Sequence, residues 1–555
     1  MWAVHLGVIC LILRAVDSNN NFLEVTIPQG TLKGIFRKSW TGKTFASFTG
    51  IPYATPPIGN LRFEAPLPAG PWKGVFDATG YKSECTQDDV AMNITDVTGN
   101  EDCLYINIYT PQVRQVTTSL LPVMFYTHGG SLTSGSGSDD FCGPDFLLDE
   151  DVVLITYNYR LGALGFISMG DEVLPGNNGL KDQALALKWT KVNVANFGGD
   201  PDRITIFGSS SGAASSHFLM LSPLTRGLIS GAIMQSGSAL APWAMSSYER
   251  AKNKTVALAK SLGCSSTDSK HLVQCLRGIN AVDIVQAASK LYEWATSPLM
   301  PFRPVVEKKS KNAFLPDSPE NIIKSGYAPK IPIIFSSVSE EGIIGAGPIL
   351  SNQDLMREFN EDFDRLAPLT IDYSDLKDYT SVTEKVRLFY LGNEDVGLEN
   401  ALQAISIFTD YWVLYPIHVS ARMHLEYGSK PIYQLLYDYR GAKSYGDLYG
   451  DPLRNYGVCH CDELLYIFTT KLYGIYQGST LERRAVNTMI KLWTNFARTG
   501  NPTPNSEFRK WKRTRKENLE YYYIDNNVYS KMVNNTFLSR MSFWDDIMST
   551  HKSHL

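Results

Sequence analysis

Gly208-Ser209-Ser210-Ser211-Gly212 follows directly on the apolar run Ile204-Thr205-Ile206-Phe207. Glycine-x-serine-x-glycine at a strand exit is the pattern of a nucleophile elbow. The turn is so tight that only glycine fits on both sides of it. It lifts the Ser210 hydroxyl to the start of the next helix, where the dipole and free N–H groups favour developing negative charge. A serine is a weak nucleophile until a base takes its proton. His460, one of only nine histidines, would be that base, and Glu341 would orient its ring and stabilise the imidazolium. The chain order Ser, acid, His is the one that accompanies such an elbow. His128-Gly129-Gly130-Ser131 follows another apolar run, at 123–126. Two successive glycines let backbone N–H groups face a cavity unobstructed. With the N–H of Ser211 they would grip the oxygen of a tetrahedral intermediate. The chemistry implied is acyl transfer to Ser210 and then to water, with no metal or organic cofactor. Cys459 and Cys461 flank His460, but three adjacent positions make a poor tetrahedral cage, so zinc is not expected.

These side chains need a frame. Apolar runs at 123–126, 152–157, 204–207, 232–234, 331–335 and 432–437 read as buried strands. Helical patterns lie between them. One spans 180–197, with Leu185, Leu187, Trp189, Val192 and Val194 as apolar positions; another carries Val486, Met489, Leu492, Trp493 and Phe496. Strands alternating with helices predict an α/β fold with a large, mostly parallel central sheet covered on both faces. Ligands then bind beyond the carboxyl ends of the strands. The candidate residues come after such runs, His460 some way downstream of its own.

The chain has 555 residues, 44% of them hydrophobic, enough for a large core. No linker, repeat or low-complexity stretch divides it, so residues 19–555 are expected to form a single domain. A net charge of −4 gives no footprint for nucleic acid. Residues 1–18 read as a signal peptide, with an apolar segment too short to span a bilayer, and no later stretch reaches spanning length. The mature protein is therefore expected to be secreted, with Asn93, Asn253 and Asn534 as N-glycosylation acceptors. Of eight cysteines, Cys10 would leave with the signal. Cys85 and Cys103 are closely spaced, as are Cys264 and Cys275, which suits small looped disulfides, although spacing alone does not settle pairing. Cys142, Cys459 and Cys461 remain, an odd number, so at least one thiol is free or pairs between chains.

Further segments carry a resemblance: Phe48-Thr49-Gly50-Ile51-Pro52-Tyr53-Ala54, Glu101-Asp102-Cys103-Leu104-Tyr105, Asn158-Tyr159-Arg160-Leu161-Gly162, Asn177-Asn178-Gly179-Leu180-Lys181-Asp182-Gln183, Phe197-Gly198-Gly199-Asp200-Pro201 and Gln235-Ser236-Gly237-Ser238. Over about residues 24–547 the chain resembles the type-B carboxylesterase family of α/β-hydrolases, most of all its secreted insect members. The resemblance implies an α/β-hydrolase fold and a triad of Ser210, Glu341 and His460. It also implies an oxyanion hole from Gly130, Ser131 and Ser211, and a substrate pocket including Trp243, Ser209 and Gly129. It pairs Cys85 with Cys103 and Cys264 with Cys275, and it makes Arg62/Glu101 and Arg160/Asp182 structural ion pairs. Cys142 would then be free to bridge Cys459 or Cys461.

The chain departs from the family at the site itself. Ser131 stands where a third glycine is usual, Ser209 where Glu, Gln or Met is common, Ser211 where Ala is usual, and Cys461 where glycine is frequent. These changes make the rim more polar and bear on substrate more than on reaction type. The partner expected is a small-molecule ester of xenobiotic, pheromone or lipid origin. Choline esters are not expected favourites, because the loop 86–102 holds no aromatic face for a quaternary ammonium. Juvenile hormone esterases typically carry glutamine at the position of Ser209, which weighs against that assignment. Two further alternatives are a non-catalytic binding relative and an esterase that sequesters organophosphates.

Overall fold

Among the described residues, the apolar runs become the middle of a thirteen-stranded sheet. The protein is seen here as a computed structural model that describes residues 21–92, 94–112, 119–392, 394–428, 431–473, 478–516, 519–534 and 536–551. The expected signal peptide and Asn93 lie outside these residues. Seven neighbouring strands are parallel. In spatial order they are Val153–Tyr157, Leu121–Thr127, Gly199–Ser209, Gly231–Gln235, Ile333–Val338, Ile432–Tyr437 and Tyr521–Ile524. All six runs read as strands are among them. The run at 331 starts pairing at Ile333, because Pro332 has no N–H to donate and serves the sheet through its carbonyl, which accepts from Ala232 N. The edges differ from the parallel reading. Phe22–Ile27, Gly30–Lys38, Thr44–Pro52 and Tyr105–Thr110 make an antiparallel meander that joins Val153–Tyr157, and Ser530–Val533 closes the other edge antiparallel.

Strand alternation divides the side chains between two cores. Phe125, Ile204, Ile206, Ala232, Met234 and Phe335 enter one, with Leu180, Leu187 and Phe218 from the helices Asn178–Asn193 and Ser211–Leu221. Met124, Tyr126, Phe207, Ile233, Ile334 and Leu435 enter the other, under Met489, Trp493 and Phe496 of the helix Thr480–Thr499. That helix starts at a capping box. Ser479 Oγ accepts from Glu482 N, and the Glu482 carboxylate accepts from Ser479 N at 2.6 Å. Val192, expected in the core, is 64% exposed. It shares the outer flank of its helix with the half-buried Leu185, seven residues earlier.

Covalent and ionic ties hold the loops between these layers. Cys85–Cys103 and Cys264–Cys275 are disulfides. Arg160 grips Asp182 through two side-chain bonds of 2.7 and 2.8 Å, and Arg62 grips Glu101 at 2.6 Å through Nε and Nη2 alike. The expected bridge from Cys142 is not formed: Cys142, Cys459 and Cys461 are all free thiols. Cys142 belongs to one core and Cys459 to the other, and the Cys142 sulfur sits 3.1 Å from the Ser138 carbonyl.

Candidate active site

The strand Gly199–Ser209 delivers the elbow. Ser210 has φ 60° and ψ −126°, a conformation sparsely populated by non-glycine residues, and the helix Ser211–Leu221 begins directly after it. Close packing explains the glycines around the turn. A Cβ on Gly208 would lie 2.3 Å from the Gly212 carbonyl oxygen, and one on Gly212 would lie 2.1 Å from that of Thr127. Ser210 N donates to the Gln235 carbonyl at 2.8 Å, which ties the turn to the neighbouring strand.

The acid comes from another strand end, and the histidine from the long loop that follows Ile432–Tyr437. Glu341 follows Ile333–Val338, and its Oε1 accepts from Val338 N at 2.8 Å. Its Oε2 meets His460 Nδ1 at 2.6 Å, with Glu341 1% and His460 6% exposed. The two loops are also stitched along their backbones: Glu340 N donates to the Val458 carbonyl, and Val458 N donates back to the Glu340 carboxylate. His460 Nε2 is buried and holds no hydrogen bond, to Ser210 or to any other described group. Burial pulls the imidazole pKa down, but the side chains of Cys461 and Glu341 outweigh it and raise the pKa well above the ordinary histidine value.

The His128–Ser131 loop turns back over Ser210. Gly130, Ser131 and Leu132 all have positive φ, at 99°, 55° and 56°. A side chain on Gly129 would press within 2.8 Å of the Ser209 carbonyl, so the loop backbone runs against the elbow. Leu132 N donates to Ser211 Oγ at 3.2 Å, which pins the loop to the helix that follows Ser210. The sequence had assigned Ser211 only a backbone N–H; the structure gives its hydroxyl a partner as well. The His128 ring stacks on Tyr159 with centroids 4.4 Å apart, and burial lowers its pKa to about 4, so it is neutral. Trp243 is buried. Its Nε1 donates to the Trp412 carbonyl, and its ring edge lies against Gly237, which itself packs on the Ser210 carbonyl.

Two features were missed from sequence. Gln235 Nε2 donates at 2.9 Å to Glu463, a carboxyl whose pKa is pushed up to about 7 by burial and by the nearby Glu341 charge. Trp493 donates to the other end of the same amide. Glu463 follows His460 by three residues and Gln235 opens the segment Gln235-Ser236-Gly237-Ser238, but nothing local pairs them. The second feature is the Cys461 sulfur, 3.1 Å from Ser209 Oγ. No group of three or more His, Cys, Asp or Glu among the described residues is arranged to hold a metal ion.

A parallel-centred sheet with a serine elbow, a strand-end carboxylate and a histidine loop in that order defines an α/β-hydrolase of the serine-hydrolase kind. Comparison with known proteins gives the family. The profile of the carboxylesterase family matches residues 21–544, and the chain belongs to that family. It is 36% identical to a juvenile hormone esterase of Tribolium castaneum, covering 93% of this chain and 92% of that one. It is 35% identical to a carboxylic ester hydrolase of Bombus ignitus, with 98% of both chains covered, and 34% identical to venom carboxylesterase-6 of Apis mellifera, with 99% of both. The crystal structure of juvenile hormone esterase from Manduca sexta, with OTFP covalently attached, superposes with a TM-score of 0.85 at 29% identity, covering 95% of this chain and all of that one. The protein is a carboxylic ester hydrolase. No helix among the described residues is long and apolar enough to cross a membrane.

Proposed function

We propose that Ser210, His460 and Glu341 are the catalytic triad, working through an acyl-enzyme on small carboxylic esters. The observation that carries this reading is the 2.6 Å bond from Glu341 to His460 Nδ1, which leaves a buried, unpartnered Nε2 on the same ring. A buried nitrogen without a partner is costly. Such a site is relieved when substrate closes around it, and catalytic hydrogen bonds tighten in the Michaelis complex. Glu341 fixes the tautomer with the proton on Nδ1, so Nε2 takes the proton from Ser210 as Oγ attacks the ester carbonyl. The imidazolium then returns it to the leaving alcohol, and the same nitrogen activates water for deacylation. Gly130, Ser131 and Ser211 supply the N–H donors for the oxyanion. Trp243, Ser209 and Gly129 border the acyl group.

Replacing Ser210 by alanine tests the assignment on a short-chain nitrophenyl ester. A fall of ~10⁴ or more in kcat is expected. Equal turnover by both proteins would reject it.

The substrates proposed are xenobiotic, pheromone or lipid-derived esters. Juvenile hormone is a second reading, favoured by the names of the Tribolium and Manduca relatives and opposed by Ser209. A panel varying acyl and alcohol size, with juvenile hormone as one member, separates them by kcat/KM. Secretion after removal of residues 1–18 fits the two disulfides, which persist in oxidising compartments. Glycans on Asn93, Asn253 and Asn534 belong to the same reading, and Asn253 and Asn534 are exposed.

A further inference from the structure

Three free thiols lie among the described residues, and they are not equivalent. Cys142 and Cys459 are 1% and 0% exposed, and burial pushes both thiols up, away from the nucleophilic thiolate. Cys461 is partly exposed. Its sulfur lies 3.1 Å from the hydroxyl of Ser209, the residue before the candidate nucleophile. It directly follows His460, whose buried Nε2 lacks a partner. The Cys461 side chain also acts on that ring electrostatically. A thiol reachable from solvent and set beside an unoccupied base is the arrangement that makes cysteine react with soft electrophiles.

We propose that Cys461 is a covalent modification site at which a small disulfide entering the ester pocket forms a mixed disulfide and shuts the enzyme off. His460 takes the Sγ proton, and Sγ attacks one sulfur of the incoming disulfide. The new bond joins Cys461 Sγ to that sulfur, the old S–S bond breaks, and the second sulfur leaves as a thiolate that recovers the proton from His460. No net oxidation occurs: one disulfide is exchanged for another. The attached group sits between Ser209 and His460 and denies Ser210 both its base and its acyl space. A second thiol, added in excess, reverses the step. The inference rests on His460 being the catalytic base.

Cys461 has φ 70° and ψ 4°, in the left-handed region where glycine is unstrained. Cys461→Gly therefore removes the thiol without straining the turn. The test treats the full chain with dithiodipyridine, reads the thione released, and maps the adduct by peptide mass, which also separates it from Cys10. Rapid release of one equivalent is expected, with the adduct on residue 461, loss of most esterase activity in step, and recovery of both on adding dithiothreitol. In Cys461→Gly the rapid equivalent is absent, and the reagent leaves that variant's own turnover unchanged. Rapid labelling of another cysteine, no rapid labelling, or an adduct on Cys461 with undiminished turnover would each overturn the proposal. An untreated protein that hydrolyses no ester would instead overturn the triad reading, while the thione count would still report whether Cys461 reacts.

Discussion

Glu341→Gln isolates what the carboxylate contributes. The amide is nearly isosteric, and its oxygen can still accept from Val338 N, so the loop has no reason to move. The change falls on the 2.6 Å contact with His460. The amide then turns its NH₂ toward Nδ1, and two donors face each other. The imidazole responds by moving its proton to Nε2, which leaves Nδ1 as the acceptor and removes the base facing Ser210. In a serine-histidine-acid triad that wrong tautomer costs ~10⁴ in kcat. The pH profile moves as well. Glu341 helps hold the imidazole pKa above its ordinary value, so losing this opposite charge lowers that pKa. Activity needs neutral His460 and appears as pH rises through its pKa, so the acid limb of kcat/KM shifts to lower pH. Burst and steady-state kinetics on a nitrophenyl ester across pH measure both effects. A loss below about tenfold, or an acid limb that stays in place or moves up, would refute the tautomer argument.

Two further outcomes follow from buried polar pairs. Ser211→Ala leaves the Leu132 N–H without its acceptor beside the oxyanion loop, so about 1–3 kcal/mol of stability should be lost, with kcat reduced more than KM; a denaturant melt and steady-state rates check it, and wild-type values in both would remove Ser211 Oγ from the site. His217 Nε2 and His424 Nε2 lie 2.9 Å apart, and the Ala239 N–H occupies His217 Nδ1, so the pair holds together only while both rings are neutral. Burial lowers the His424 pKa from 6.5 to about 4, so this group's stabilisation is complete above pH 6.5 and falls on acidification toward the folded value. The loss is about 3 kcal/mol across that window, and His424→Gln should flatten the dependence of denaturant midpoint on pH by that amount.

The parallel centre of the sheet was legible because its strands are buried on both faces and read as unbroken apolar runs. The antiparallel edges were not. Phe22–Ile27 alternates exposed with less exposed positions, and Ser530–Val533 has no buried residue at all, so neither presents a run to read. Val192 failed for a related reason: an apolar residue on a helix flank fits the 3.6-residue pattern loosely and costs little when exposed.

The candidate site divides along the same line, between what a local segment must do and what two distant segments do to each other. The elbow announces itself because both glycines lie within two residues of Ser210: Gly208 is required by the Gly212 carbonyl inside the turn, and Gly212 by the Thr127 carbonyl of the neighbouring strand. Chain order pointed to Glu341, just after Ile333–Val338, and to His460, some way beyond Ile432–Tyr437, and the structure joins the two at 2.6 Å. Ser209 and Cys461 are 252 residues apart, and Gln235 and Glu463 are 228 apart. Each is an unremarkable polar residue in its own segment. Their meeting depends on the strand ends at Ser209 and Gln235 lying side by side in register, with the histidine loop folded across both. The family resemblance could flag Ser209 and Cys461 as departures, one at a time. Only the sheet register makes them a single feature: a serine and a thiol placed together, with the thiol next in sequence to His460.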